Sequence, residues 1–370
     1  MRAHVVLGLG WGDEGKGITT DFLCSRYKNS AVVRFSGGQQ AGHTVVKDGK
    51  RHVFASYTVG AMSGLPSYIS EYCTIYPPNI VNEAEALEDI GISNPTLIIH
   101  PLAKLTTPYD IAYNRLTERV NNHGSCGLGI AATMKRNIET PYKLYAVDTI
   151  NKDILKQKMD GIFAHYARLL GIQWYSEFRE LSESLMKDFN TKLPLLKMEI
   201  CNYDYLEQFN DLIFEGSQGI MLDMEHGIFP NVTHANTTSK NAIEICQKMG
   251  IKRDRTTVYY VTRCYQTRHG NGWMSDEKKI PLINNQNETN KWNDWQRNFR
   301  AGEIDYNLLG YALEVDDSYA YGCGKVLVVT CLDQRPDFVF DYNKLPYEFE
   351  LVLNSYSQDS QNFIHGRAVS

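Results

Sequence analysis

The sequence predicts an α/β fold with a large, mostly parallel central sheet flanked by helices. Short unbroken runs of aliphatic and β-branched residues recur along the chain, and segments with helical spacing of apolar residues lie between them. Unbroken apolar runs suit strands that are buried on both faces, and their alternation with helices is typical of a parallel sheet. The 370 residues, of which 43% are hydrophobic and 22% charged, are enough for a large buried core.

Six apolar runs predict strands, and three periodic segments predict helices. The predicted strands cover residues 5–7, 31–35, 96–99, 212–214, 257–261 and 326–329. The predicted helices cover residues 80–87, 154–170 and 308–313. Because ligands of such sheets bind beyond the carboxyl ends of the strands, we expect the functional residues in the loops that follow the strands.

The predicted organisation is a single domain over residues 1–370 with two additions. We expect a helical insertion around residues 150–200. We also expect a polar loop around residues 284–300, because residues 284–298 hold six asparagines and two tryptophans.

Charge and composition exclude several classes of partner. The formal charge of −5 and the isoelectric point near 6.1 give no broad positive field for a nucleic-acid backbone. No apolar run is long enough to span a membrane, and the first residues lack the apolar region of a signal peptide. The eight cysteines form no C-x-x-C pair, so we expect reduced thiols and a cytoplasmic location.

A glycine-rich loop follows the first predicted strand. It reads Gly-Leu-Gly-Trp-Gly-Asp-Glu-Gly-Lys-Gly at residues 8–17. Repeated glycines let backbone N–H groups approach phosphate oxygens, and Lys16 supplies a positive charge. The loop differs from a standard P-loop, because Gly17 stands where a hydroxyl would hold Mg²⁺. Asp13 would repel phosphate unless it ligates a metal or acts as a base. The alternative is a glycine-rich turn needed only for packing.

Two further motifs follow later strands. Residues 37–44 read Gly-Gly-Gln-Gln-Ala-Gly-His-Thr, and a histidine such as His43 after glycines is more often structural than catalytic. Residues 214–219 read Phe-Glu-Gly-Ser-Gln-Gly and precede a threonine-rich segment that ends at residue 238. The amide of Gln218 suits the edge of a purine and the threonines suit phosphate, whereas the alternative is ordinary turn chemistry.

Together these motifs resemble the adenylosuccinate synthetase family. The family's Trp-Gly-Asp-Glu-Gly-Lys-Gly stands at 11–17, its Gly-Gly-x-x-Ala-Gly-His-Thr at 37–44 and its Glu-Gly-x-Gln-Gly at 215–219. A Val-Thr-x-x-Asn-Thr-Thr stands at 232–238 and a Thr-Arg-x-Gly-x-Gly at 267–272. The matches keep the family's order from residue 5 to about residue 335, so we expect an adenylosuccinate-synthetase-like fold.

The resemblance implies a two-step ligase. Asp13 would remove the N1 proton of a 6-oxopurine nucleotide, so that O6 attacks the γ-phosphate of a nucleoside triphosphate. The amine of L-aspartate would then displace phosphate from C6. His43 would act as a general acid or as a donor to the phosphate, and Gln218 would hold the purine. Mg²⁺ is the implied cofactor, with Asp13 and the Gly42 carbonyl as its ligands.

The resemblance also assigns the binding residues. It gives the triphosphate to Gly12, Asp13, Glu14, Gly15, Lys16, Gly17, Gly42, His43, Thr44 and Asp333. It gives the purine monophosphate to Asp13, Gln40, Ser125, Cys126, Arg136, Gln218, Thr233 and Arg297, and L-aspartate to Arg297 and Arg300. A homodimer with shared sites is implied as well.

Four departures from the family pattern bear on the substrates. Cys126 stands where the family has a threonine for the 5′-phosphate, and the aspartate loop keeps two arginines where the family has four. Cys331 replaces the lysine of the family's Thr-Lys-Leu-Asp, and residues 354–370 contain no counterpart of its Ser-Thr-Gly-Pro. Because the family reads the guanine of GTP through these two motifs, their loss makes ATP a plausible donor, with Asp333 accepting from the adenine amine.

The favoured hypothesis is the phage deoxyguanylosuccinate branch of the family. Such an enzyme would join L-aspartate to C6 of dGMP with hydrolysis of ATP, giving N6-succino-2-amino-2′-deoxyadenylate in the host cytoplasm. One alternative is the conventional reaction of IMP, L-aspartate and GTP. A second is a non-catalytic nucleotide-binding regulator, although such a protein would need neither Asp13 nor His43.

Overall fold

The computed structural model describes residues 1–121, 126–283 and 299–365, and its largest element is a ten-stranded sheet. The described strands are β1 (Arg2–Gly8), β2 (Ser30–Arg34), β3 (His43–Lys47), β4 (Lys50–Phe54), β5 (Ser67–Ile69), β6 (Thr74–Ile75), β7 (Leu97–Ile99), β8 (Lys104–Leu105), β9 (Glu199–Ile200), β10 (Asp211–Glu215), β11 (Thr256–Arg263), β12 (Gln266–Arg268), β13 (Arg300–Gly302), β14 (Gly324–Thr330), β15 (Leu351–Ser355) and β16 (Phe363–His365). The described helices are α1 (Lys16–Arg26), α2 (Pro77–Asp89), α3 (Pro108–Asn121), α4 (Ile130–Glu139), α5 (Lys152–Leu170), α6 (Ile172–Lys192), α7 (Lys240–Lys248) and α8 (Tyr306–Ala320).

The order of strands in the large sheet is β16-β15-β14-β11-β1-β10-β2-β5-β7-β9. Nine of these strands run parallel to their neighbours, and β16 pairs antiparallel with β15 at one edge. The predicted α/β class and its mostly parallel sheet are therefore confirmed. Three two-stranded sheets, β3–β4, β12–β13 and β6–β8, lie outside it.

All six predicted strands lie in the large sheet, as β1, β2, β7, β10, β11 and β14. Apart from Thr96 and Thr257, each at the start of its run, the residues of these runs are buried because helices cover both faces of the sheet. In β1, Val5 and Leu7 pack with α7 and α8 on one face, whereas Val6 packs with Phe22 and Leu23 of α1 on the other. The side chains of a strand alternate between faces, so a continuous apolar run is what a strand in the middle layer requires.

The stretch predicted as a helical insertion forms α5 and α6, which pack with α2, α3 and α4 around a second apolar core next to β7. The longest of these helices, α6, has 21 residues and a polar outer surface. In the described ranges of the chain, no helix is both long and apolar enough to cross a membrane. The polar loop predicted around 284–300 lies outside the described residues, apart from its last two positions.

A fully buried ion pair links the helices of this second core. Arg136 of α4 donates to both carboxylate oxygens of Asp110 in α3, at 2.8 and 2.9 Å, and Tyr166 of α5 donates to the same carboxylate at 2.7 Å. Arg136 also donates to the carbonyl oxygens of Leu105 and Tyr142. The side chain of Arg136 is inaccessible to solvent in the described chain. The role that the resemblance gives Arg136, a contact from one subunit with the 5′-phosphate bound at the other, stays a prediction.

Replacement of Arg136 by alanine should destabilise the fold strongly. It would leave the Asp110 carboxylate charged and buried, which costs about 3–5 kcal/mol in the free energy of unfolding. Urea denaturation measures this loss. The matched control is Lys135→Ala on the next position of α4, where the side chain is 63% exposed, and the expected change is within about 0.5 kcal/mol. An Arg136→Ala protein with wild-type stability and lost nucleotide affinity would contradict this structural role.

Candidate active site

The loops at the carboxyl ends of β1, β2, β10, β11 and β14 surround a cavity of about 430 Å³. Residues that line it come from Val53 of β4 and from six segments of the chain: 11–18, 40–46, 218–222, 263–269, 330–334 and 357–358. A parallel sheet brings these segments together because the carboxyl ends of its strands meet at one edge. Most of the candidate site is therefore formed by loops that follow the strands.

A buried carboxylate, that of Glu14, holds the glycine-rich loop between β1 and α1. Glu14 accepts hydrogen bonds from the backbone N–H groups of Gly10 and Gly12, at 3.0 and 2.8 Å, and its other carboxylate oxygen contacts Lys16 Nζ at 2.5 Å. Glu14 and Lys16 are each only 3% exposed. The side chain of Glu14 therefore shapes the loop from within, and Lys16 lines the cavity already paired with it.

Asp13 is the exposed carboxylate of this loop. Its backbone lies in the left-handed region with φ 64°, beside Gly12 with φ 104°, and its side chain is 29% exposed at the cavity wall. The Arg263 guanidinium donates to the carbonyl of Asp13, and Thr267 donates to that of Gly12 at 3.4 Å. A partly exposed carboxylate on such a braced backbone is suited to accept a proton or to ligate a metal.

His43 begins β3, and a buried carboxylate orients its ring. Its Nδ1 contacts Glu215 at the end of β10, and Glu215 also accepts from Arg34 Nη2 at 3.0 Å and from the Val59 N–H at 3.1 Å. Burial lowers the pKa of His43, although Glu215 opposes this shift. Burial alone would raise the pKa of Glu215, but Arg34 and His43 hold that pKa below its usual value. The pairing at Nδ1 leaves Nε2 as the ring nitrogen for a ligand.

Two glutamine amides line the same cavity. Gln218, with φ 54°, donates from Nε2 to Thr233 Oγ1 at 3.1 Å. The Oε1 and Nε2 atoms of Gln40 are both inaccessible to solvent and have no hydrogen-bond partner among the described residues. A buried amide without partners is costly, so Gln40 marks a place where a polar ligand would supply both a donor and an acceptor.

Comparison with known proteins agrees with this arrangement. The family model for adenylosuccinate synthetase matches residues 5–334. The chain belongs to the adenylosuccinate synthetase family. It is accordingly a C–N bond-forming ligase of purine biosynthesis, so the alternative of a non-catalytic nucleotide-binding regulator is wrong.

Curated relatives in the adenylosuccinate synthetase family match along most of the chain. The adenylosuccinate synthetase of Rhodococcus erythropolis is 29% identical over 380 residues, which cover 99% of this chain and 85% of that protein. The adenylosuccinate synthetase of Mycolicibacterium smegmatis is 30% identical over 351 residues, which cover 91% of this chain and 79% of that protein.

Two solved structures share the fold. The fully ligated adenylosuccinate synthetase of Plasmodium falciparum has a TM-score of 0.70 and 19% identity, covering 99% of this chain and 87% of that one. The succinoaminodeoxyadenylate synthetase PurZ of cyanophage S-2L, bound to dGMP and dATP as an energy donor, has a TM-score of 0.64 and 16% identity. That match covers 98% of this chain and 95% of the cyanophage chain. At these identities the likeness shows the fold alone.

The structure collects most of the residues that the adenylosuccinate synthetase motifs predict. The cavity is lined by the predicted residues Gly12, Asp13, Gly15, Lys16, Gly17, Gln40, Gly42, His43, Thr44, Gln218 and Asp333. Thr233 reaches it through its hydrogen bond to Gln218. The predicted Ser125 and Arg297 lie outside the described residues.

Cys126 and Arg300 are not among the residues that line the cavity. Gln39 donates to the Leu128 carbonyl at 3.3 Å and so joins the loop that carries Cys126 to the loop that carries His43. Arg300, on β13, donates to Glu277 at 2.7 Å and to the carbonyls of Gly270 and Gly272. The predicted contacts of Cys126 with phosphate and of Arg300 with aspartate stay predictions.

The carboxyl-terminal segment contributes residues to the cavity wall, although it contains no counterpart of the family's Ser-Thr-Gly-Pro. Ser357 and Gln358 line the cavity together with Cys331, Asp333 and Gln334. Ser360, three positions later, donates to Asp21 of α1, and Lys47 of β3 donates to the same carboxylate at 3.1 Å. Serine and glutamine are common surface residues, so no spacing signal reveals this contribution.

The sequence did not predict Glu215 as a site residue, although it stands in the Glu-Gly-x-Gln-Gly motif.

The free energy of unfolding should depend on pH because the pKa of His43 is lowered in the folded protein. Because the folded protein holds His43 neutral, an unfolded histidine takes up a proton first as the pH falls below about 6.5, and acidification favours unfolding. The free energy of unfolding should therefore decrease from about pH 7.5 to about pH 5.5, by up to ~1.4 kcal/mol per pH unit for this one group.

The variant His43→Asn keeps a donor for Glu215 and removes the titrating ring. Urea denaturation of the variant and the wild-type protein at both pH values isolates the contribution of His43, because the other histidines are common to both. An equal pH dependence in the two proteins would contradict the assignment.

Proposed function

We propose that the chain joins L-aspartate to C6 of dGMP, with ATP as the phosphoryl donor and a 6-phosphoryl nucleotide as the intermediate. The observation that carries the choice of dGMP is the buried, unpartnered amide of Gln40 at the cavity wall. Guanine offers an amine donor at C2 beside the N3 acceptor, which an amide matches with its own acceptor and donor. Hypoxanthine has no amine there and would leave the Gln40 oxygen unpaired.

In the first step, Asp13 acts on the purine. Its partly exposed carboxylate takes the N1 proton, and the electron pair moves to O6, which attacks the γ-phosphorus of the triphosphate while the β–γ bond breaks. Gln218 holds the purine edge, with its amide fixed by Thr233. The backbone N–H groups of the glycine-rich loop and Lys16 bind the triphosphate at the amino terminus of α1.

The donor set fits Mg²⁺. Asp13 and the carbonyl-bearing Gly42 both line the cavity, and carboxylate and carbonyl oxygens are the ligands that this hard cation prefers. When bound, Mg²⁺ supplies neutralisation of the charge on the transferred phosphoryl group.

His43 serves the phosphoryl group during the transfer. In the absence of a ligand its ring is neutral, because burial lowers its pKa. A phosphate at Nε2 adds a negative charge opposite Glu215, and negative charges on both sides favour the protonated ring. The imidazolium then donates from Nε2 to the developing charge, while Glu215 keeps the ring in place.

The part of the cavity that we assign to the base of the triphosphate favours adenine. Gln334 donates from Nε2 to Asp333 at 2.7 Å, and its Oε1 is buried without a partner among the described residues. This oxygen is an acceptor for the amine at C6 of adenine. Guanine carries an oxygen at that position and needs a donor, which the lysine of the family pattern would supply and Cys331 does not.

The second candidate is the conventional reaction of IMP, L-aspartate and GTP. The curated relatives that match the chain over most of its length are adenylosuccinate synthetases, and Asp13 and His43 would serve either substrate because both purines carry N1–H and O6. From the family resemblance we also propose a cytoplasmic homodimer, in the host cytoplasm if the chain is phage-encoded.

The substrate choice is tested with the purified protein, Mg²⁺ and L-aspartate. Either dGMP or IMP is supplied with either ATP or GTP, and the products are identified by mass spectrometry. We expect the succinyl product of dGMP, with ATP at least as good a donor as GTP. The control Asp13→Asn should fold and lose turnover by several orders of magnitude. Efficient turnover of IMP with GTP and none of dGMP would replace the proposal with the conventional reaction.

Replacement of Arg300 by alanine tests the proposed aspartate site. Arginine forks suit carboxylates, so its loss should raise KM for aspartate by about tenfold or more and leave the KM of both nucleotides nearly unchanged. The control Glu277→Gln releases Arg300 from its ion pair and keeps the guanidinium, so KM for aspartate should not rise. An unchanged aspartate KM in Arg300→Ala would show that aspartate binds elsewhere.

A further inference from the structure

His269 stands at a position that the Thr-Arg-x-Gly-x-Gly motif leaves open, directly after β12. Its side chain is 14% exposed and lines the cavity, and its Nε2 lies 3.5 Å from Oδ2 of Asp13. Neither ring nitrogen accepts or donates a hydrogen bond in the part of the chain that the structure describes, and both are inaccessible to solvent. A buried polar ring without partners is costly, and the carboxylate of Asp13 lies within reach of its Nε2.

Hydrogen bonds from the two preceding residues hold the backbone that carries His269. Thr267 donates to the Gly12 carbonyl at 3.4 Å, and Arg268 donates to the carbonyls of Trp273, Asn231 and Asn271 at 2.7–3.0 Å. The ring of Phe299 packs on the imidazole with 5.3 Å between centroids. The hydrogen bonds of the preceding residues and the packing of Phe299 therefore hold the ring beside the glycine-rich loop.

We propose that His269 is a positioning residue for the base. Its Nε2–H donates to Oδ2 of Asp13 once the contact shortens by a few tenths of an ångström, so that Oδ1 faces the N1 proton of the purine. Asp13 is partly exposed and could otherwise rotate about its side-chain bonds. A base acts efficiently only when its oxygen is held within hydrogen-bond reach of the proton it takes. This inference rests on the proposed function of Asp13.

The role belongs to the first step of the reaction, which separates it from a role in aspartate binding. β12 also pairs with β13, where Arg268 stands opposite Arg300, so His269 directly follows the strand pair that carries the proposed aspartate residue. A residue that orients Asp13 affects formation of the 6-phosphoryl intermediate in the absence of aspartate. A residue that binds aspartate affects only the second step.

The test measures the first step alone. ATP labelled with ¹⁸O in the β–γ bridge is incubated with the protein, Mg²⁺ and whichever of dGMP and IMP the wild-type protein converts, without aspartate. Reversible phosphoryl transfer moves the label to a non-bridging position of the β-phosphate, which ³¹P NMR detects. In His269→Leu we expect the exchange rate and kcat to fall about 10–100-fold, as for one lost hydrogen bond to a charged group. The KM values for both nucleotides and for aspartate should stay within about twofold.

His269→Gln is the matched variant, because its amide N–H reaches as far as Nε2 and keeps the donor. We expect its exchange rate to recover to within about fivefold of wild type, while thermal unfolding shows that both variants fold. Equal rates in the Leu and Gln variants, or wild-type exchange in His269→Leu, would overturn the role of His269. A raised aspartate KM with unchanged exchange would overturn it in favour of aspartate binding. A wild-type protein that neither exchanges the label nor forms a succinyl product would instead overturn the proposed function.

Discussion

The loops at the carboxyl edge of the sheet depend on the hydrogen bonds of one buried carboxylate, that of Glu215. It lies at the end of β10, between β1 and β2, and it is fully inaccessible to solvent. A charge in such a place is tolerated only when it is paired and hydrogen-bonded, and Arg34, His43 and the Val59 N–H meet that requirement. Arg34 in turn donates to the Ala41 carbonyl at 3.0 Å. One carboxylate thus fixes the strand ends, the loop that follows β2 and the ring of His43.

The glycine-rich loop solves a similar problem at smaller scale. Without a ligand, a loop whose N–H groups all point at an empty cavity would leave donors unsatisfied, and Lys16 would be a buried unpaired cation. Glu14 satisfies two of the donors and neutralises the lysine. The binding site for an anion is therefore preformed around an internal anion. Because Glu14 already pairs with Lys16, the loop is organised before a ligand binds. Under the proposed function, an incoming triphosphate competes with Glu14 for the same ammonium.

Much of the fold and of the site follows from local patterns. The apolar runs identified the six strands that fill the middle of the sheet, because strands covered on both faces need no polar alternation. The motifs predicted that Asp13, His43 and Gln218 lie at one cavity, and these residues do line it, because each motif is a short spacing within one loop. The contact of Arg136 with Asp110 could not be predicted, because the two residues are 26 positions apart and sequence does not distinguish a buried cation from one that binds phosphate. β9, with two residues and partial exposure, carries no periodicity to detect.

Ser357 and Gln358 line the cavity from a segment that Ser360 tethers to α1, whereas Asp13, His43 and Gln218 follow strands of the central sheet. Under the proposed function, the groups of this segment that face the base of the triphosphate lie on a different part of the chain from Glu215 and the glycine-rich loop. Substitutions that alter the preference for a triphosphate can then fall outside the loops that carry the proposed reacting groups.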